Sequence, residues 1–140
     1  MTTYPANQVL ARTVDVAPTA GTIGSYVILT GQASSQTNGI TAYANLTNAS
    51  LTLRAGVWLI FFSGNIANAS TNDNIYIRLY DGSNVIAEIT DVANGNLHNI
   101  IGVYKTTGTP TVTLQGRRLD SVSTNILLRT GWNFQAVCIG

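Results

Sequence analysis

The chain has 140 residues, long enough for one domain with a sizeable core, and 45% of them are hydrophobic against only 9% charged. That balance excludes a disordered chain, which shows low hydrophobicity and high net charge. A net charge of +1 supplies no global field to gather nucleic acid or an anionic membrane, so neither is expected as a partner.

The first 22 residues, "MTTYPANQVLARTVDVAPTAGT", carry two of the three prolines and few large apolar side chains. They read as an extended N-terminal arm, residues 1–22, ahead of a domain spanning 23–140. Tyr4, Pro5, Val9, Leu10 and Arg12 are its candidate contacts with a partner surface. From there on, period-two alternation and short apolar runs recur, and helical periodicity is hard to find. Strands are expected near "ARTVDVA", "SYVILTGQ", "GITAYANL", "SLTLRA", "VWLIFFSGNI" and "NIYIRLY". More follow near "NVIAEIT", "LHNIIGVYK", "TVTLQG", "TNILLRT" and "WNFQAVCI", separated by Gly-, Asn- and Asp-rich turns such as "SSQTNG" and "DVANGN". In "YDGSNV", Asp-Gly between apolar strand ends predicts a tight hairpin. Many short strands at this spacing predict an all-β fold, an antiparallel β-sandwich of jelly-roll type.

Alternation along a strand divides its side chains between two faces. In "VWLIFFSGNI", Trp58, Ile60, Phe62 and Ile66 make one row; Val57, Leu59 and Phe61 make a second apolar row opposite. In "IYIRLY", Ile75, Ile77 and Leu79 oppose Tyr76, Arg78 and Tyr80. A large apolar row left in water usually marks an interface, and tyrosine suits such a seam. Val57, Leu59, Phe61, Tyr76, Arg78, Tyr80 and Tyr104 are therefore the candidate subunit interface. A surface this poor in charge is also poorly protected from self-association.

Catalytic chemistry has few candidates. Six carboxylates, His98 and Cys138 are spread along the chain without a P-loop, G-x-S-x-G, H-E-x-x-H or dinucleotide fingerprint. A His98–Cys138 pair would need the fold to bring the two together. Cys138 shares its row with Trp132, Phe134 and Ala136, which places it in the core. Asp81 is expected to bond backbone amides within its own turn. Asp73 and Asp91 are loop carboxylates without EF-hand spacing, and "GRRLD" suggests a solvated or intersubunit ion pair of Arg117 and Arg118 with Asp120. No enzyme activity, cofactor or metal is expected. Neither a secretory leader nor a membrane span is visible.

The order "LTLRAGVWLIFF", "IYIRLYDGSNVI" and "WNFQAVCIG", with Leu53, Gly56 and Trp58 spaced as L-x-x-G-x-W, resembles the trimeric jelly rolls of the tumour-necrosis-factor and complement-head type. It is more similar still to the head domains of bacteriophage virion proteins. The resemblance spans roughly residues 45–140. It implies a homotrimer whose protomers pack around a threefold axis through one sheet of each sandwich. It also implies a virion-surface protein assembled in the host cytoplasm, with other virion proteins, major capsid or tail, as partners. Capsid decoration is the first expectation. A tail or fibre tip recognising a host-surface glycan is the alternative, and a stand-alone carbohydrate-binding module with Trp132 as the sugar platform is a third.

Overall fold

A computed structural model describes residues 23, 24, 26–29, 35–37, 42–68, 75–92, 96–118 and 126–140; the arm candidates Tyr4, Pro5, Val9, Leu10 and Arg12 lie outside them. The described residues form an all-β fold of two antiparallel sheets, consistent with a β-sandwich. Ten strands follow in chain order: β1 (Tyr26–Leu29), β2 (Ser35–Thr37), β3 (Ala44–Thr52), β4 (Gly56–Asn68), β5 (Ile75–Tyr80), β6 (Val85–Val92), β7 (Asn96–Thr106), β8 (Thr111–Arg118), β9 (Ile126–Leu128) and β10 (Asn133–Cys138).

The larger sheet is organised by β4, the longest strand. Along one edge β4 pairs with β7 from Gly56 to Ile66; along the other it meets β10 from Trp58 to Ser63, then β9 from Ile66 to Asn68. Strand β1 extends the sheet beyond β10, and β2 extends it beyond β9. The second sheet runs β3-β8-β5-β6.

The inner rows of the two sheets supply the core. Trp58, Ile60, Phe62, Phe134 and Ala136 from the first meet Leu51, Ile75, Ile77, Leu79, Val112 and Leu114 from the second, all buried. Phe62 and Phe134 pack edge to face, their centroids 6.4 Å apart. This burial keeps the core side chains from water, and burial of this kind dominates the stability of such a domain.

The L-x-x-G-x-W spacing has a physical basis. Leu53 and Trp58 are both buried, and the Trp58 indole Nε1 donates to the Arg54 carbonyl at 2.9 Å. Gly56, at φ 150°, lets the chain turn into β4 between them, in a conformation that side-chain-bearing residues rarely adopt. A Cβ there would come within 3.1 Å of the Gly140 carbonyl.

Two local readings differ from expectation. "GITAYANL" and "SLTLRA" contribute to a single strand, β3, whose register with β8 shifts between Asn45 and Ser50. Asn48 adopts φ 61° in that interval, and burial passes from Leu46 to Ala49 across two exposed residues. Over that interval β3 advances three residues more than β8, an irregularity that resets the alternation without ending the strand. Strand β2 falls inside "SSQTNG", a stretch whose composition signals a turn.

Candidate functional site: two sheet exteriors of opposite character

The seven interface candidates do not share one surface. Val57, Leu59 and Phe61 lie on the exterior of the first sheet; Tyr76, Arg78 and Tyr80 lie on the exterior of the second. The reason is topological, because β4 and β5, though consecutive, belong to different sheets.

The first exterior is apolar. Register places Leu59 beside Val103 and Phe61 beside Ile101 on β7, with Val137 of β10 on the other flank of Leu59. On β1, Ile28 sits across from Gln135, which in turn faces Phe61. Exposure is 60% for Ile101, 64% for Val103 and 67% for Leu97, against 38% for Leu59. The alternation of "LHNIIGVY" alone leaves open which of its rows faces inward. Ile100 and Gly102 take the core side because β7 closes onto β6 there: a Cβ at Gly102 would lie 2.8 Å from Ile86 Cγ2. Leu97, Ile101 and Val103 are turned outward in consequence. Ser63, Asn99, Asn133 and Lys105 border the apolar stretch, the pattern of an interaction surface with a polar rim.

Tyr104 belongs to neither exterior. It follows Ile100 and Gly102 on the inward row, half-buried, and its hydroxyl donates to Asp81 Oδ2 at 2.9 Å. Asp81 also accepts from the backbone amides of Ser83 at 2.7 Å and Asn84 at 2.6 Å, the expected use of this turn carboxylate. Desolvation alone would raise its pKa. The amides of Asn84 and Ser83, the Asn84 side chain and Tyr104 outweigh it and hold the carboxyl at about 2. Tyr104 is raised in turn, first by desolvation and then by its bond to Asp81. This contact ties β7 to the β5–β6 hairpin across the end of the sandwich.

The second exterior is polar and aromatic. Arg78 lies 3.8 Å over the Tyr43 ring and 4.4 Å from Tyr80; Arg117 lies 4.8 Å from Tyr43 and 4.9 Å from Tyr76. Two guanidinium groups are thus interleaved with three tyrosine rings. The Tyr43 hydroxyl donates to Glu88 across the sheet. Arg78 Nε donates to Gln115 Oε1 at 2.7 Å, and Gln115 Nε2 donates to Asn45 Oδ1 at 2.7 Å. Desolvation lowers the Arg78 pKa, opposed by Tyr80 and assisted by the neighbouring charge of Arg117. Sequence reading identified Tyr76, Arg78 and Tyr80 here but missed Tyr43, Gln115 and Glu88. Their cross-strand positions depend on pairings between segments far apart in the chain.

Other expectations resolve by position. Arg118 is fully buried on the inward row of β8, so a solvated pair with Asp120, which lies outside the described residues, does not describe it. Trp132 is 1% exposed and offers no face for a sugar. His98 sits opposite Gly64 and Cys138 opposite Trp58 on the same strand, six residues and about 20 Å apart, too far for proton transfer between them. Among the described residues, no group of three or more His, Cys, Asp or Glu side chains could hold a metal. No helix among them is long and apolar enough to cross a membrane. No protein-family model matches the chain, and no curated protein matches it.

Proposed function

We propose that the chain is a structural protein of a bacteriophage particle, a homotrimeric jelly roll acting as a capsid decoration or head-attached stabilising protein. The observation that carries the reading is the second apolar row of β4, continued by Ile101 and Val103 of β7 and Val137 of β10 on one sheet exterior. Sister copies covering that exterior would remove its apolar area from water, and a contact of about 800 Å² per partner would be of standard size. The threefold number comes from the resemblance.

Strand order supports the jelly-roll part of the reading. With the short strands β2 and β9 set aside, the remaining eight fall in the orders β1-β10-β4-β7 and β3-β8-β5-β6. Each sheet then combines early and late strands, as in the double-sheet jelly roll built from two Greek keys. The resemblance draws the threefold contact through one sheet, and the first of these orders is the sheet with the apolar exterior. In this arrangement the arm of residues 1–22 lies along neighbouring capsid subunits and the trimer clamps them.

Electron microscopy of the native particle tests the reading. The expected result is threefold density of this domain's size seated on capsid subunits, with the β4–β7 exteriors facing the axis. Particles without such density on head or tail would overturn it.

A further inference from the structure

Strand β7 is an edge of the first sheet: β4 lies along one side of it, and among the described residues no strand pairs with the other side. The Val57 amide donates to the Gly140 carbonyl, the Val57 carbonyl accepts from the Ile139 amide at 2.7 Å, and the Asn65 carbonyl accepts from the Arg129 amide at 3.0 Å. Odd-numbered residues of β4 therefore turn their backbone groups away from β7, and even-numbered ones turn theirs toward it. With the unbroken β4–β7 register, His98, Ile100, Gly102 and Tyr104 are the residues bonded to β4. Leu97, Asn99, Ile101, Val103 and Lys105 then point their amides and carbonyls to the open side. Three of these, Leu97, Ile101 and Val103, are also the exposed apolar side chains of the strand. A long, flat, apolar edge invites another strand unless it is blunted. The eleven residues of β7 contain no proline and no register shift, and the one lysine stands near an end. The other edges are short, as β1 and β2 are, or carry register shifts, as β3 and β6 do.

We infer that residues 10–17 of a sister copy add an antiparallel strand to this edge. Those residues lie outside the described ones, and their alternation predicts a strand. Leu10, Arg12, Val14 and Val16 make one row; Ala11, Thr13, Asp15 and Ala17 make the other. The first row would continue the apolar exterior beside Leu97, Ile101 and Val103. The second, of smaller side chains, would face β6, which comes so near that a Cβ at Gly102 would lie 2.8 Å from Ile86 Cγ2. Main-chain bonds supply the affinity in strand addition, and the alternating side chains fix the register. The chain's own arm fits less well. The Gly24 amide donates to the Cys138 carbonyl at 2.8 Å, level with Trp58 and Tyr104, so the chain enters the sheet at the Tyr104 end of β7. From there its own residues 10–17 would run parallel to β7, the weaker pairing. Turned antiparallel, they would leave Ala17 to Gly24, at most about 25 Å of chain, to return along an edge of roughly 27 Å. The inference rests on the proposed assembly for the presence of a sister copy; the open edge does not. Residues 1–9, with Tyr4 and Pro5, remain for a capsid subunit.

Deuterium exchange of backbone amides in the full chain, followed by nuclear magnetic resonance, reads the edge directly. The amides of Leu97, Asn99, Ile101, Val103 and Lys105 are expected to exchange slowly. Thr13→Pro together with Val14→Pro removes a donor in either register. The double substitution should speed those edge amides by about a hundredfold or more, while Ile100, Gly102 and Tyr104 stay protected and report an intact fold. Isotope-labelled substituted chain, refolded with unlabelled parent chain, should regain the protection from the parent's arm. Sedimentation of the same samples gives their mass. A trimer whose edge amides exchange freely would overturn the inference and leave the proposed assembly standing, whereas a single chain would overturn both. Protection that survives the prolines, as it would if two β7 edges paired with each other, would also overturn it. So would a mixed assembly that fails to restore protection, since the arm would then serve its own chain.

Discussion

Replacing Ile101 and Val103 with lysine should separate assembly from folding. In the single chain these side chains keep 60% and 64% of their surface exposed, so the core loses almost nothing with them. Covering the remaining apolar area in an assembly would contribute about 1–2 kcal/mol per side chain. A lysine buried there without a partner would add a penalty of several kcal/mol. Together these exceed the roughly 2.7 kcal/mol that weakens association a hundredfold. Lysine is also tolerated on an outward row near a sheet edge, and Lys105 already occupies the next outward position of β7. Twenty apolar side chains among the described residues are buried within one chain, so a folded monomer is the expected product. Sedimentation equilibrium at micromolar concentration reads the mass, and far-ultraviolet circular dichroism reads the strands. A fall from three times 14.8 kDa to 14.8 kDa with the β signal retained is expected. A doubly substituted chain that keeps the mass of its parent would refute the reasoning.

Three further outcomes follow from the same geometry. Gly102→Ala would place its Cβ 2.8 Å from Ile86 Cγ2 and 3.2 Å from Ala87 Cβ, and should cost about 1–3 kcal/mol by chemical denaturation. Ile86→Ala in the same chain should recover part of that loss, and strict additivity would count against the close β6–β7 approach. Asp81, with its carboxyl held at about 2 against an ordinary 3.8, contributes stability that is present above 3.8 and lost as pH falls through 2. The half-buried, solvent-facing turn reduces this to about 1 kcal/mol, and Asp81→Asn should flatten that limb of the stability–pH curve. Tyr104 is shifted upward, so its contribution is full below 10 and is lost as pH rises from 10 through its folded value; Tyr104→Phe should remove that part of the alkaline limb.

Much of the fold was legible because alternation reports directly on burial. The rows Trp58–Ile60–Phe62 and Ile75–Ile77–Leu79 are buried as read, and the Asp81 turn bonds as its residue types require. What stayed hidden depends on which strand lies beside which. Whether Ile100 or Ile101 faces inward is undecidable from "NIIG", since both rows of β7 are apolar there. The close approach of Gly102 to Ile86 decides it. Tyr104 looked like its sequence neighbours in type, yet its hydroxyl is committed to Asp81, a residue on another hairpin. The same limit explains the missed Tyr43, which meets Arg78 and Arg117 only because β3, β8 and β5 are adjacent.

The mass of the unmodified protein in dilute solution bears most directly on whether sister chains shelter the β4–β7 exterior. Native mass spectrometry or sedimentation should find three chains per particle at micromolar concentration. A stable single chain under those conditions, with Leu59, Ile101 and Val103 open to water, would contradict the account.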